Sequence, residues 1–216
     1  MPLPPDEPLR AVLRQPRSIE VGILLFPEVE VLDFAGPFEV FSVASRVARR
    51  DGGLEVAPFR VSTVAAAPGV VTARHGLRVL PDAAFATAPA FDLLVVPGGV
   101  VDQPLADAGT IAWVRGAATL ARLTASVCTG AFILAAAGWL EGRTATTHWE
   151  DVAALRAAHP GLRVVEGVPF VDEGEVVTSA GISAGIEMSL HLVGRVLGPA
   201  LARATARQMQ YDAASL

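Results

Sequence analysis

Short apolar segments alternate along the chain with amphipathic segments, and this alternation predicts the fold class. Residues 19–26 are β-branched and mostly apolar, as in a strand buried on both faces, and residues 92–96 and 123–127 have the same character. Apolar residues recur at helical spacing in other segments, for example over residues 129–140 and 183–197. Strands that alternate with helices in this way form a parallel sheet with helices on both faces, so we predict a doubly wound α/β fold.

The alternating pattern begins at residue 18, and no linker-like stretch interrupts it. We therefore predict one domain over residues 18–216. Residues 1–17 contain several prolines and no clear period, and we expect a loose N-terminal extension there. After the first strand, Gly36-Pro37 indicates the start of a helix, with proline in its first turn. Residues 55–64 are expected to form the second strand, and residues 70–80 a small hairpin.

The composition excludes several classes of function. Apolar residues make up 52% of the chain and charged residues 18%, which is typical of a globular protein rather than a disordered one. All 17 basic residues are arginine, so no lysine is available for a Schiff base, for pyridoxal phosphate or for a P-loop. With a net charge of −5, the protein is not expected to have the basic surface of a nucleic-acid-binding protein.

Two further segments of the sequence argue against export and against a membrane span. The first residues lack the basic and apolar regions of a signal peptide. The longest apolar run, residues 131–140, is about half of what a membrane-spanning helix needs. We therefore expect a cytoplasmic protein that binds neither nucleic acid nor a membrane.

The single cysteine, Cys128, lies where an apolar strand runs directly into a helix. This is the layout of a nucleophile elbow, a tight turn that raises a side chain above the sheet, and Gly130 leaves space for the turn. The free N–H groups at a helix start lower the pKa of a nearby thiol, so we expect a thiolate nucleophile. The alternative is a small cysteine buried in the core.

Other candidate residues follow strand ends, where ligands bind in such sheets. Asp33 either caps the next helix or faces Cys128 as a protonated general acid. Gly98 and Gly99 allow backbone N–H groups to point into the cleft as an oxyanion hole. His148 is a candidate base or orienting group, or else a structural histidine. No pair of histidines has the spacing of metal ligands, so we predict no metal and no other cofactor.

Six short motifs are distributed along the predicted domain. They are Leu24-Leu25-Phe26-Pro27, Leu32-Asp33-Phe34-Ala35-Gly36-Pro37, Val96-Pro97-Gly98-Gly99, Ser126-Val127-Cys128-Thr129-Gly130, Gly142-Arg143-Thr144-Ala145-Thr146-Thr147-His148-Trp149 and Gly181-Ile182-Ser183-Ala184-Gly185-Ile186-Glu187. Together they resemble the ThiJ/PfpI superfamily of the class I glutamine-amidotransferase-like fold, and especially its isonitrile hydratase branch. The likeness follows the family order from about residue 19 to about residue 211, which is nearly the whole predicted domain.

The resemblance implies a flavodoxin-like fold, a homodimer and a small-molecule substrate. It also implies that Cys128 is the nucleophile, that Asp33 is the acid and base, and that Thr129 positions water or Asp33. The implied reaction hydrates an isocyanide to an N-substituted formamide, which is the chemistry of a lyase.

Two alternatives stay open within the same superfamily. A glyoxalase or deglycase would act on reactive aldehydes, but that branch has a glutamate where this chain has the shorter Asp33. A non-enzymatic sensor would bind a ligand at Cys128 or report its oxidation, as in the ligand-sensing domains of AraC-type regulators. A protease is disfavoured, because the peptidase-like branch has a histidine where this chain has Thr129.

Overall fold

The computed structural model of the protein describes residues 7–213. The strands within this range are β1 (Ile19–Leu25), β2 (Phe59–Ala65), β3 (Val71–Thr72), β4 (Arg78–Val79), β5 (Ala83–Ala84), β6 (Leu93–Val96), β7 (Leu123–Val127), β8 (Thr144–Ala145), β9 (Arg163–Val164), β10 (Phe170–Asp172) and β11 (Val176–Ser179). The helices are α1 (Glu7–Leu13), α2 (Val31–Gly52), α3 (Asp102–Ala106), α4 (Ala108–Leu120), α5 (Gly130–Ala136), α6 (Val152–Ala158), α7 (Ala184–Leu197) and α8 (Pro199–Gln208), with short 3₁₀ turns at Arg74–Gly76 and Trp149–Asp151.

Seven strands form the central sheet, in the order β10-β11-β7-β6-β1-β2-β5. Neighbouring strands are parallel except for β10 and β11, which pair antiparallel. The chain moves outward from β1 to β2 and then returns to β6 on the other side of β1. The loops at the carboxyl ends of β1 and β6 therefore flank a topological switch point, where such sheets bind ligands.

Helices cover both faces of this sheet. On one face α2, α7 and α8 pack together, and on the other α3, α4 and α5 do so. The central strands β6 and β7 are buried along their whole length, as their apolar sequences require. The predicted doubly wound, flavodoxin-like α/β fold is confirmed. None of the helices within residues 7–213 combines the length and apolar character that a bilayer crossing requires.

Part of the N-terminal extension is ordered against the domain, contrary to our expectation of a loose segment. Residues 7–13 form α1, and the side chains of Leu9 and Val12 are buried in the core. Arg10 donates two hydrogen bonds, of 3.0 and 2.6 Å, to the backbone carbonyl of Arg195. A helix of two turns is too short to show a clear period in a proline-rich stretch. Residues 1–6 lie outside the described range.

The boundaries of several elements differ from those predicted. The small hairpin is confirmed as β3 and β4, whereas the second strand begins at Phe59 instead of residue 55. The helix after β1 begins at Val31, so Pro37 lies inside it rather than at its start. Its first turn is fixed by a tertiary contact, because the N–H of Glu30 donates to the carbonyl of Gly98 at 2.9 Å.

Candidate active site

Cys128 lies at a strained turn between β7 and α5. Its φ is +56°, in the left-handed region that residues with a side chain rarely adopt. The turn brings α5 so close to β6 that a side chain at Gly130 would collide with the carbonyl of Val96. The elbow geometry predicted for Cys128 is therefore confirmed.

Hydrogen bonds from distant parts of the chain hold the strained peptide. The N–H of Cys128 is shared between the carbonyls of Ser179 and Ala180, at 3.2 and 3.3 Å. The buried hydroxyl of Thr147 donates to the carbonyl of Cys128 at 2.8 Å. Strain of this kind costs about 1–3 kcal/mol, and it persists only where surrounding contacts fix the conformation.

Asp33 projects from the first turn of α2 into the interior beside the elbow. Its Oδ2 accepts the backbone N–H of Gly98 at 3.0 Å, whereas its buried Oδ1 accepts no hydrogen bond from the residues described. Burial raises the pKa of Asp33 to about 7, and the Gly98 N–H and the nearby Cys128 thiol lower it only in part. The position before the helix belongs to Glu30, so the capping alternative for Asp33 is wrong.

The protonation of Cys128 also differs from our expectation. Burial, and then the charge of Asp33, raise the pKa of the thiol to about 12. Hydrogen bonds from the backbone and side chain of Thr129 lower the pKa, but α5 is short and they do not compensate. The expected resting thiolate is therefore wrong: a neutral thiol lies next to a carboxyl group that gains and loses a proton near pH 7.

Thr129 holds the loop after β6 instead of contacting Asp33. The N–H of Gly99 donates to the Thr129 hydroxyl at 2.9 Å, and that hydroxyl donates to the Gly99 carbonyl at 2.9 Å. The N–H of Gly98 is occupied by Asp33. Neither glycine N–H points free into the cleft, so the oxyanion hole expected from Gly98 and Gly99 is not formed.

The sulfur faces a cavity of about 330 Å³. Cys128 is only 7% exposed, so a reactant reaches it through this space. Four of the residues that line it were candidates from the sequence, namely Gly99, Cys128, Thr129 and His148, and the others were not. The cavity is lined by Glu30, Arg74, Gly99, Cys128, Thr129, His148, Glu150, Asp151 and Ile182.

His148 forms part of the cavity wall. Its Nδ1 lies 3.5 Å from Oδ2 of Asp151 and 3.8 Å from Oε2 of Glu150. The ring also lies against Gly181, where any larger residue would overlap it. These contacts orient His148 toward the two carboxylates. The titratable group whose charge acts most strongly on the sulfur of Cys128 is Asp33 rather than His148.

The charged residues of the cavity wall have no signal in the sequence. Glu30 and Arg74 form an ion pair, with Oε2 and Nη1 3.1 Å apart. Arg74 belongs to the 3₁₀ turn between β3 and β4, and its N–H donates to the carbonyl of Val29. A glutamate before a helix and an arginine in a hairpin become site residues only when the fold brings them together.

Other features of the described residues lie away from this chemistry. A second cavity, of about 270 Å³, lies over the ends of β1 and β2, is lined mainly by apolar residues and shares none of them with the first. No group of three or more His, Cys, Asp or Glu within residues 7–213 is arranged to bind a metal ion.

Comparison with known proteins identifies related sequences. The model of the DJ-1/PfpI family matches residues 19–195. The chain is 34% identical over 199 residues to an isonitrile hydratase of Pseudomonas putida, which covers 90% of this chain and 79% of that protein. It is 32% identical over 199 residues to the HTH-type transcriptional regulator GbdR of Pseudomonas aeruginosa, covering 92% of this chain and about half, 52%, of the regulator.

Solved structures show the same architecture. A THiJ/PfpI family protein from Pseudomonas syringae has a TM-score of 0.78 and 30% identity, over 90% of this chain and 76% of that one. Drosophila melanogaster DJ-1beta has a TM-score of 0.76 over 90% of this chain and 99% of its own. At 20% identity, the DJ-1beta match bears on the fold alone.

Proposed function

Because the chain belongs to the DJ-1/PfpI family, we propose that it is an isonitrile hydratase-like enzyme that converts an isocyanide to an N-substituted formamide. The observation that carries the proposal is the buried pair of Asp33 and Cys128 at the elbow. There a carboxyl group with a pKa of about 7 lies next to a neutral thiol. The 34% identity with the isonitrile hydratase of Pseudomonas putida supports the choice of reaction.

The first half of the reaction adds the thiol to the terminal carbon of R–N≡C. As the sulfur of Cys128 bonds to that carbon, ionised Asp33 takes the thiol proton and delivers it to the same carbon. The product is a covalent thioimidate, R–N=CH–S–Cys128. A carboxyl group with a pKa of about 7 serves both as base and as acid near neutral pH.

The second half uses water. Ionised Asp33 removes a proton from a water molecule, whose oxygen attacks the thioimidate carbon, and the proton passes to the nitrogen. The carbon–sulfur bond then breaks, R–NH–CHO leaves, and the hydroxyl proton returns to Cys128 through Asp33. Covalent catalysis divides one difficult addition into two easier steps.

Thr129 is assigned a supporting role in this proposal. Its hydroxyl fixes the backbone of Gly99, and the adjacent Gly98 donates to Asp33. The threonine therefore maintains the position of the carboxyl group through the loop. A cavity of about 330 Å³ suits a small substrate. The homodimer and the cytoplasmic location stay predictions.

A panel of three reagents tests the reaction. Cyclohexyl isocyanide, methylglyoxal and hydrogen peroxide are each incubated with the wild type and with Cys128→Ala. We expect the wild type to release N-cyclohexylformamide and the variant to release none, with similar midpoints of urea unfolding for both. No formamide from the wild type would exclude the hydratase. Lactate from methylglyoxal would favour a glyoxalase instead.

A ligand sensor is the second candidate, because the chain matches about half of a transcriptional regulator at 32% identity. Sensing by oxidation is disfavoured, since peroxide reacts with a thiolate and burial raises the pKa of Cys128 to about 12. A cysteine oxidised by peroxide, without turnover of either organic substrate, would favour the sensor.

A further inference from the structure

The cavity above Cys128 has a wall of net negative charge. Three of its lining residues are carboxylates, Glu30, Glu150 and Asp151, and we call these the acidic wall. Arg74 is the only arginine among the lining residues, and His148 the only histidine. Three carboxylates outnumber these two groups even when the imidazole is protonated.

The carboxylates of the acidic wall are not equally compensated. Glu30 is largely buried and pairs with Arg74 at 3.1 Å. Glu150 and Asp151 instead lie 3.8 and 3.5 Å from the imidazole of His148. Their side chains are 63% and 37% exposed, so they lie toward solvent, where a reactant enters.

The charge of the acidic wall reaches the reacting atoms. The charge of Asp151 helps to raise the pKa of Cys128, after burial and Asp33, and the charge of Glu30 helps to raise the pKa of Asp33. A field that disfavours a negative charge on the sulfur also disfavours a negative charge on a molecule beside it. Cavities lined by one sign of charge also change the local concentration of charged ligands.

We propose that the acidic wall makes this site selective for reactants that are neutral or cationic, and that Glu150 and Asp151 disfavour reactants that carry a carboxylate. For isocyanides, this selectivity rests on the proposed function, and it then means that the preferred substrates R–N≡C have R groups without negative charge. The selection itself acts on access to Cys128, so it applies to any electrophile that enters the cavity.

Iodoacetamide and iodoacetate provide a matched pair of probes, since they have nearly the same size and differ in charge. Each alkylates Cys128, the only cysteine in the chain: a sulfur–carbon bond forms, iodide leaves and the thiol proton passes to Asp33 or to solvent. Rates at pH 8 and low salt are followed by mass spectrometry of the intact protein. The same rates with 2-mercaptoethanol, a neutral thiol, give the intrinsic difference between the reagents.

We expect the preference of Cys128 for iodoacetamide to exceed that of 2-mercaptoethanol by about tenfold, as repulsion by two partly exposed charges implies. The double variant Glu150→Gln/Asp151→Asn should bring the preference close to that of 2-mercaptoethanol. A change in the reactivity of the thiol affects both reagents and cancels in their ratio. Asp51→Asn, which removes an exposed carboxylate from the end of α2, is the control and should retain the wild-type ratio.

Salt gives a test that needs no variant, because screening should reduce the wild-type preference at high ionic strength. A wild-type ratio equal to that of 2-mercaptoethanol would overturn the proposal. So would a double variant that keeps the wild-type ratio, or a ratio that salt does not change.

Two isocyanides of similar size separate this inference from the proposed function. We expect ethyl isocyanoacetate to be hydrated with a kcat/KM about tenfold or more above that of the isocyanoacetate anion. If neither is hydrated, the hydratase proposal fails while alkylation still decides the selectivity. If both are hydrated equally and the alkylation ratio equals that of 2-mercaptoethanol, the hydratase proposal is supported and the selectivity proposal fails.

Discussion

Replacing Asp33 by asparagine should separate the reactivity of the thiol from turnover. Asparagine keeps the size of the side chain and an oxygen that can accept the N–H of Gly98, which is 3.0 Å from Oδ2 in the wild type. It removes the negative charge near Cys128 and the group that carries the proton. We therefore expect turnover to be lost while alkylation of Cys128 by iodoacetamide becomes faster.

The expected increase follows from the raised pKa of the thiol. With a pKa of about 12, about one thiol in 10,000 is ionised at pH 8. Each unit by which the pKa falls increases the thiolate fraction about tenfold. Burial is the larger cause of the raised pKa and remains in the variant. We expect alkylation to rise about tenfold, well short of the roughly thousandfold that full restoration of the ordinary pKa would give.

The same substitution should stabilise the fold at neutral and alkaline pH. The pKa of Asp33 is about 7 in the folded chain and 3.8 ordinarily, so the folded state binds the proton more tightly. The free energy of unfolding therefore falls as pH rises from about 4 to about 7. The full effect is on the order of 4 kcal/mol. Asparagine does not titrate, so the advantage of the variant should be largest at pH 8 and shrink toward pH 4.

Three measurements check this prediction. Formamide release reports turnover, intact-protein mass spectrometry reports alkylation, and urea unfolding at pH 8 and pH 5 reports stability. Asp51→Asn serves as the control for loss of a remote carboxylate, and it should behave like the wild type in all three. Turnover retained by Asp33→Asn, or slower alkylation, would refute the assignment of Asp33 as the proton carrier beside the sulfur.

Other substitutions test the elbow and the frame around it. Thr147→Val removes the hydroxyl that donates to the carbonyl of Cys128, so it should lower the free energy of unfolding by about 1–3 kcal/mol and slow alkylation. Thr147→Ser keeps a hydroxyl and should retain the wild-type stability and alkylation rate. Equal behaviour of the two variants in urea titrations would contradict this role of the hydroxyl. Gly130→Ala should lower the urea midpoint and abolish turnover because its methyl group meets a carbonyl of β6, whereas Gly116→Ala, in open space on α4, should be neutral or stabilising by about 0.5–1 kcal/mol. Burial raises the pKa of Asp92, but hydrogen bonds from arginines and from a backbone N–H outweigh burial, so the net pKa is lowered. Asp92→Asn should therefore destabilise the protein at pH 7, and the lost stability should diminish as pH falls below about 4. A loss of stability that does not depend on pH would argue against this role of Asp92.

Local patterns in the sequence are sufficient to predict the sheet and the elbow. The strand over residues 123–127 has the predicted bounds, because five buried residues lead directly into Cys128 and the helix after it. The start of α2 is wrong in the prediction, since proline at the first turn is only a local preference. In the folded chain the contact between Glu30 and the Gly98 carbonyl decides where that helix begins.

The electrostatics of the site could not be predicted from the same patterns. The helix start suggests a lowered pKa for Cys128, but the sequence does not show that Asp33 is buried close to it. The cavity wall combines residues of six separate loops and turns. Arg74 and Asp151 are among them, and neither has a local signal in the sequence. Sequence position identifies the sulfur, whereas its protonation depends on partners that only the tertiary structure brings together.

The partners that bend the backbone at Cys128 have a consequence for synthesis. Thr147, Ser179 and Ala180 all follow the cysteine along the chain, and the last of them lies 52 residues beyond it. While the ribosome is still translating β11, the emerging polypeptide already contains its sulfur but lacks the carbonyls of Ser179 and Ala180 that complete that bend. The elbow is thus completed only after Ala180 has been added, and shorter nascent chains carry the cysteine without its strained geometry.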